Sequence, residues 1–487
     1  MLRDEDAKII SEFFKNLQLC KIKPVFSRHV PMQNQPPQSQ RPITRMFAAY
    51  DTKISTVPSD QPATLKMRMM HLFFWLGILA LAGCASVRRE QAPERMFDTV
   101  APVGFKPDIR YLSSDPGAIK SRFSRILQHR RGISGGAPLN ILALSGGGAG
   151  GSFGAGALVG FSRHGDRPKF DIVTGVSAGA LIAPFAFLGS AWDAQLDDNF
   201  SGRYSEHFLV TRGFSILFNT GVYQSKPLVD FVDRFVTDEM IREVAAQAAL
   251  GRLLLVATTD LDKEETVIWD MGQIAAHGGA AARTLFRDVL VASASIPGVF
   301  SPVIIPVESK GIRYDEMHVD ASATVPFFIA PASAYVLPID PGVLKGSNIY
   351  VLVNGQLGVI PETTRVNTIS ILSRSLSAEL NHMTRAEIAL TSEFAQKYGM
   401  SLRVTEIPID YPFRGPLEFH ESTSRQLFDY GADCAKKDRL WATVEQSLAR
   451  NEKTQSTELV KNTPAEIAAI SSCPLNGPSM QTSAKAR

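Results

Sequence analysis

Short apolar runs separated by glycine-rich turns dominate the middle of the chain. Residues 139–144 (LNILAL) have the length and composition of a buried strand. A glycine turn follows, and residues 154–163 then read as a helix. The same order recurs at once. Residues 170–173 predict a strand, a second glycine turn follows, and residues 178–188 form an apolar helix packed from all sides. Residues 226–236 are amphipathic, with Leu228, Phe231, Val232 and Phe235 at helical spacing. Further strands are expected at 252–258, 266–269, 313–319, 348–353 and 402–407, and long helices at 364–391 and 422–448. Strands alternating with helices predict an α/β fold with a mainly parallel central sheet covered on both faces. No internal repeat is present.

Composition changes this picture little. The chain has 487 residues, 45% hydrophobic and 20% charged, which is ordinary for a globular protein with a sizeable core. A net charge of +3 is too small over this length to point to nucleic acid, and no basic stripe is interleaved with aromatics. The four cysteines, Cys20, Cys84, Cys434 and Cys473, form no CxxC pair, so neither a metal nor a cofactor is expected.

The N-terminal region carries a targeting pattern. Residues 71–83 (HLFFWLGILALAG) are shorter than the ~20 apolar residues a membrane span takes, and fit a signal-peptide core. Arg68 supplies positive charge before it. The run ends Leu81-Ala82-Gly83-Cys84, which resembles the lipobox of bacterial lipoproteins. That resemblance implies lipidation at Cys84, membrane attachment through it, and a place in the bacterial cell envelope on the periplasmic side of the outer membrane. Met67, Met69 and Met70 lie just before the run, so residues 67–83 would be the signal peptide and residues 1–66 a non-native or disordered extension. Residues 84–137 read as a tether with a small helix near 118–129, and residues 451–487 as a polar tail unless Cys473 anchors it. An oxidising compartment would allow Cys434 and Cys473 to pair; two free buried thiols fit the sequence nearly as well.

Two turns carry candidate chemistry. Gly175-Val176-Ser177-Ala178-Gly179 is a GxSxG pattern between a predicted strand and helix. Such a turn puts a serine on a sharp elbow at a helix N-terminus, where free N–H groups favour developing negative charge. The earlier loop, Gly146-Gly147-Gly148-Ala149-Gly150-Gly151, can converge its N–H groups on an anion. It also matches the dinucleotide pattern GxGxxG, but the acidic residue of the next strand, Asp171, is at the wrong end.

Both motifs together, in this order, resemble the patatin-like phospholipase family. The run 292–303 (ASASIPGVFSPV) is similar to a further family segment, and Val319-Asp320-Ala321-Ser322 follows where the family has its catalytic aspartate. The resemblance covers residues 139–354 and, more weakly, reaches 431. It implies a patatin-like three-layer domain over residues 138–450 and a Ser–Asp dyad of Ser177 and Asp320. The N–H groups of Gly146, Gly147, Gly148 and Ala178 would form an oxyanion hole, and the substrate would be a phospholipid or another lipid acyl ester. Two departures stand out. Gly150 replaces the basic residue of the family's loop, and Ala321 replaces a glycine, which would strain the backbone there if a positive φ were needed. Asp315 is the nearest competing acid.

Two other readings compete. An α/β-hydrolase esterase would need a histidine after Ser177; His207, His277, His318, His382 and His420 follow, and His420 comes late enough. His318 shares a strand face with Asp320 and is expected in solvent. A catalytically silent envelope lipoprotein that binds lipid is the second rival.

Overall fold

The structure is a computed structural model, and it describes residues 89–115, 117, 138–205, 208–210, 220–330, 341–359, 361, 363–453 and 473–475. The extension, the signal peptide, Cys84, the helix expected near 118–129, His207 and most of the C-terminal tail lie outside them.

Ten strands form one sheet. In chain order they are β1 (Ala101–Pro102), β2 (Arg110–Leu112), β3 (Asn140–Leu144), β4 (Ile172–Gly175), β5 (Leu253–Asp260), β6 (Glu265–Asp270), β7 (Val303–Ser309), β8 (Ile312–Asp320), β9 (Asn348–Val353) and β10 (Ser401–Glu406). The main path runs β1-β7-β8-β5-β4-β3-β9-β10, with β6 beside β5 and β2. The centre, β5-β4-β3-β9-β10, is parallel throughout. An antiparallel flank joins it where β8 and β6 pair with β5. The inner strands β3, β4 and β9 are mainly apolar and buried, as coverage on both faces requires, whereas β10 at the edge carries Ser401 and Arg403.

Helices cover both faces: α1 (Gly151–His164), α2 (Ala178–Leu188), α3 (Asp193–Phe200), α4 (Lys226–Phe235), α5 (Asp238–Ala249), α6 (Met271–His277), α7 (Gly279–Ser293), α8 (Thr368–Tyr398), α9 (Glu421–Lys436) and α10 (Val444–Lys453). The larger core packs α1, α2, α4 and α7 against one face through Phe153, Phe185, Phe231 and Phe286. The second core joins α8, through Ile388 and Phe394, to the other face. Among the described residues, no helix is long and apolar enough to cross a membrane.

Within the described residues the expected elements are present with shifted ends, and one differs in kind. The helix expected over 422–448 is two helices, α9 and α10. Between them Asp438 takes a positive φ of 54°, and Ala442 pairs with Val404 of β10, so the chain must leave the helix. Helices α5, α6 and α7 were not foreseen.

Sheet register sets up the site. Gly175 at the end of β4 lies opposite Val256 of β5, and Asp320 at the end of β8 lies opposite Thr258. Two residues beyond Gly175, the chain has come level with Asp320 across β5. A parallel strand and an antiparallel one therefore deliver Ser177 and Asp320 to the same edge of the sheet.

Cys434 of α9 is bonded to Cys473, with the Cα atoms 5.4 Å apart, which settles the pairing left open by the sequence. Leu475 N–H also donates to the Arg439 carbonyl at 2.9 Å, so the segment around Cys473 is tied to the domain. The crosslink spans a sequence separation of 39. Loop-closure entropy for that length is up to about 4 kcal/mol. Replacing both cysteines with serine should lower the denaturation free energy by up to that amount, read from urea unfolding curves. Identical curves would mean that the bond contributes nothing.

Candidate active site

Ser177 is the junction between β4 and α2. Its backbone stands at φ 54°, ψ −125°, one of few non-glycine residues at positive φ. Such a conformation costs roughly 1–3 kcal/mol and persists only where the surroundings over-determine it. They do so here. A Cβ on Gly175 would lie 2.6 Å from the Ala180 Cα, and one on Gly179 would lie 2.4 Å from the Leu144 carbonyl oxygen. The elbow can therefore close only with glycine at both positions. The Ser177 N–H is held by the Ser293 hydroxyl at 3.0 Å.

Asp320 is fully buried. Its backbone N–H donates to the Ser295 carbonyl at 2.9 Å, and its Oδ1 accepts the Ser322 N–H at 2.8 Å. Its Oδ2 is sealed from solvent without a hydrogen bond of good geometry. Burial pushes the carboxyl pKa up to about 6, against the opposing effects of the Ser177 hydroxyl and of Ser322. A buried carboxylate that interacts with a serine hydroxyl is the arrangement a general base needs.

Ala321 is not strained. It is the first residue of the short 3-10 turn Ala321–Ala323, does not have a positive φ, and its methyl packs with Val176, Leu255 and Phe328. Asp315, the competing acid, lies five residue positions down β8 from Asp320, which is level with Thr258; it faces Pro306 of β7 and contacts Glu90.

The glycine loop is pinned at both ends. Asn354, at the end of β9, donates its backbone N–H to the Ser145 hydroxyl at 2.9 Å and its Nδ2 to the Ser145 carbonyl at 2.7 Å. Ala149 N–H donates to the Pro416 carbonyl at 2.9 Å. Gly147 and Gly148 between them take φ values of 155° and 54°. Gly146 differs from its three expected partners: its N–H is spent on the Pro326 carbonyl at 3.0 Å. Its contribution is space, since a Cβ there would lie 2.4 Å from the Ser322 Oγ and 3.2 Å from the Ser177 Cβ. Gly147, Gly148 and Ala178 are left as candidate donors. The missing basic residue also has a physical reason, because a Cβ at Gly150 would meet the Asn354 carbonyl oxygen at 2.0 Å.

Ser177 opens on two cavities. One, of about 290 Å³, is lined by Asp320, Gly147, Gly148, Ile296 and Leu376. The other, of about 60 Å³, is mainly apolar, with Leu181, Phe200, Phe208, Leu228, Phe231 and Phe300 in its wall beside Ser152, Asn199 and Ser205. No histidine is among the described residues of either wall. The His420 side chain is 63% exposed, and its nearest charged neighbour is Glu418 at 3.8 Å. His277 stacks on Phe105, and His382 is exposed on α8.

His318 contradicts the expectation of a solvated side chain. It is fully buried, bonded through Nδ1 to the Thr258 hydroxyl at 3.0 Å and through Nε2 to Glu316 at 3.3 Å. Asp260, Glu316 and His318 are close enough to hold a metal. Protein cations already occupy that position, however. Lys263 Nζ lies 2.9 Å from Asp260 and 2.8 Å from Glu316, and Arg110 pairs with Glu316. Burial alone would raise the Glu316 pKa, but Arg110 and His318 hold it well below the usual carboxylate range. The cluster is an ion network on β8, the strand that carries Asp320, and on the end of β5.

Residues 142–332 match the family model for patatin-like phospholipase. This segment is therefore similar to a patatin-like phospholipase domain. The similarity supports a lipid acyl hydrolase in general. Ser177 and Asp320 both fall within the matched segment, whereas Asn354, α8 and the disulfide lie beyond it. Among solved structures the chain is similar to VipD from Legionella pneumophila, at 12% identity over 62% of this chain and 67% of that one, with a TM-score of 0.27. No curated protein sequence matches the chain.

Sequence reasoning missed Ser293, Ser295 and Asn354. The first two were in view, inside the run at 292–303, but only as a landmark for the aspartate. The structure shows that this run touches both candidate catalytic residues, one through a hydroxyl and the other through a carbonyl. Ser293→Ala should leave the Ser177 N–H buried without an acceptor, costing ~1–3 kcal/mol, and lower kcat on an ester substrate more than it raises KM.

The raised pKa of Asp320 makes a second prediction. Its folded value, about 6, lies above the ~3.9 of an unfolded aspartate. The folded state therefore holds the proton more tightly, and stability falls as pH rises from about 4 to about 6. Asp320→Asn removes this cost. The variant should exceed the parent in stability above pH ~7 by on the order of 3 kcal/mol, with the gap closing towards pH ~4. Urea unfolding at both pH values checks this, and a gap that does not change with pH contradicts it.

Proposed function

We propose that the protein is a serine acyl hydrolase acting on phospholipid or another lipid acyl ester through a Ser177–Asp320 dyad. The observation that carries this reading is the buried Asp320 Oδ2, left without a hydrogen bond of good geometry beside a serine on a strained elbow. Asp320 would accept the Ser177 proton as Oγ attacks the acyl carbonyl. The resulting oxyanion would lie against the N–H groups of Gly147, Gly148 and Ala178; one such donor is typically worth about 3 kcal/mol. Collapse of the tetrahedral adduct expels the alcohol, which takes up the proton from Asp320. Water then attacks the acyl-serine, with Asp320 again as the base. The apolar cavity behind Ser177 supports an acyl chain as the bound group.

We further propose attachment to the bacterial cell envelope through lipidated Cys84, on the periplasmic side of the outer membrane. The Leu81–Cys84 pattern supports this, as does the Cys434–Cys473 bond, since such bonds persist in oxidising compartments.

Hydrolysis of p-nitrophenyl butyrate and of mixed phospholipids tests the reading. Ser177→Ala and Asp320→Asn should each lower kcat at least ~100-fold, with His420→Ala within twofold of the parent. Loss with His420→Ala would favour the triad of an α/β-hydrolase. An inactive parent would leave a lipid-binding scaffold without chemistry.

A further inference from the structure

A third cavity, of about 210 Å³, adjoins the catalytic one and has a different character. The two share Gly147, Leu380 and Pro416 in their walls. Ser177 and Asp320 line the catalytic cavity, and neither lines the third. One wall of the third cavity is helix α8, which presents Ser373, Arg374, Ser377, Asn381 and Thr384. Positions 373, 377, 381 and 384 recur at helical spacing and form one stripe. A helix packed on a core normally turns an apolar stripe inward. Here α8 packs Leu372 and Leu376 on the core, and the side it turns to the cavity is, Leu380 apart, hydroxyl, amide and guanidinium. Arg414 enters from the loop before Pro416 and makes a loose ion pair with Glu418 at 3.6 Å. Among the described residues of this wall there are two arginines and no carboxylate.

The glycine loop itself offers no cation to a charged substrate, because the carbonyl of Asn354 fills the space a side chain at 150 would need. Any recognition of negative charge next to the reacting ester must come from elsewhere. The cavity beyond Gly147 has the right chemistry for it. Guanidinium groups match tetrahedral oxyanions through paired N–H donors, and serine and asparagine side chains can satisfy the remaining oxygens.

We propose that this cavity is a phosphate site, and that it takes the head-group phosphate of a phospholipid whose ester lies at Ser177. This deepens the acyl hydrolase reading and rests on it for the position of the ester. The substrate would straddle the glycine loop, with the acyl chain on the Phe231 side and the phosphate between α8 and Arg414.

The test uses two monomeric substrates with the same acyl chains, dihexanoyl phosphatidylcholine below its micelle-forming concentration and dihexanoylglycerol. The double variant Arg374→Gln/Arg414→Gln should lose tenfold or more in kcat/KM on the phospholipid and stay within twofold on the neutral glyceride. The retained glyceride activity also shows that the variant is folded. Equal losses on both substrates, or no loss on the phospholipid, overturn the proposal. Calorimetry on the Ser177→Ala protein separates this inference from the hydrolase reading. Glycerophosphocholine should bind, and the two arginine substitutions should abolish that binding, even if no ester is ever hydrolysed; no binding overturns the site. Inorganic phosphate binding the same protein while glycerophosphocholine does not would assign the cavity to free phosphate and overturn the head-group assignment.

Discussion

A carboxylate kept out of water is the constraint on which this site depends. Asp320 is buried with one oxygen satisfied by Ser322 and the other left without a hydrogen bond of good geometry beside Ser177. Burial of an ionised group costs stability, and the same burial raises the basicity of the carboxyl, pushing its pKa up to about 6. The surroundings maintain that arrangement. β5 sets the level of both residues, Ser293 and Ser295 hold their two backbones, and the ion network of Asp260, Glu316, Lys263 and Arg110 neutralises charge further down the same strand. A stored cost at the reacting group, offset by the packing around it, is the usual bargain between stability and activity.

Close backbone approach does the rest. The elbow closes because residues 175 and 179 lack side chains, and the loop before it can pass over Asn354 because residues 147 and 150 lack them too. The glycines that make a recognisable motif are thus required by contacts with segments distant in sequence. Gly150 carries a consequence for binding: the chain has given up a cation on the loop in exchange for tight packing on β9.

Much of this was legible in the sequence. The β3–loop–α1 and β4–elbow–α2 units read directly, because their apolar runs are uninterrupted and each turn is marked by glycine. Asp320 could be placed by its distance from the run at 292–303. What could not be read was anything set by pairing across the sheet. The burial of His318 depends on β8 lying against β5, and its alternating pattern suits an exposed strand equally well. The Gly146 N–H looked available until Pro326, 180 residues on, was found accepting from it. Helices α5 to α7, which contain alanine-rich stretches, were not read from the sequence. Ala321 looked like a defect against a family pattern, yet the turn at that point is right-handed and needs no glycine.

The most direct test of the dyad is the rate at which a fluorophosphonate labels the purified protein, measured from pH 4.5 to 8 with the modified peptide identified by mass spectrometry. The account predicts one adduct, on Ser177, forming at a rate that rises with a midpoint near pH 6, the value to which burial pushes Asp320, and that is lost in Asp320→Asn. Labelling of a different serine, or of Ser177 at an unchanged rate in Asp320→Asn, would contradict it.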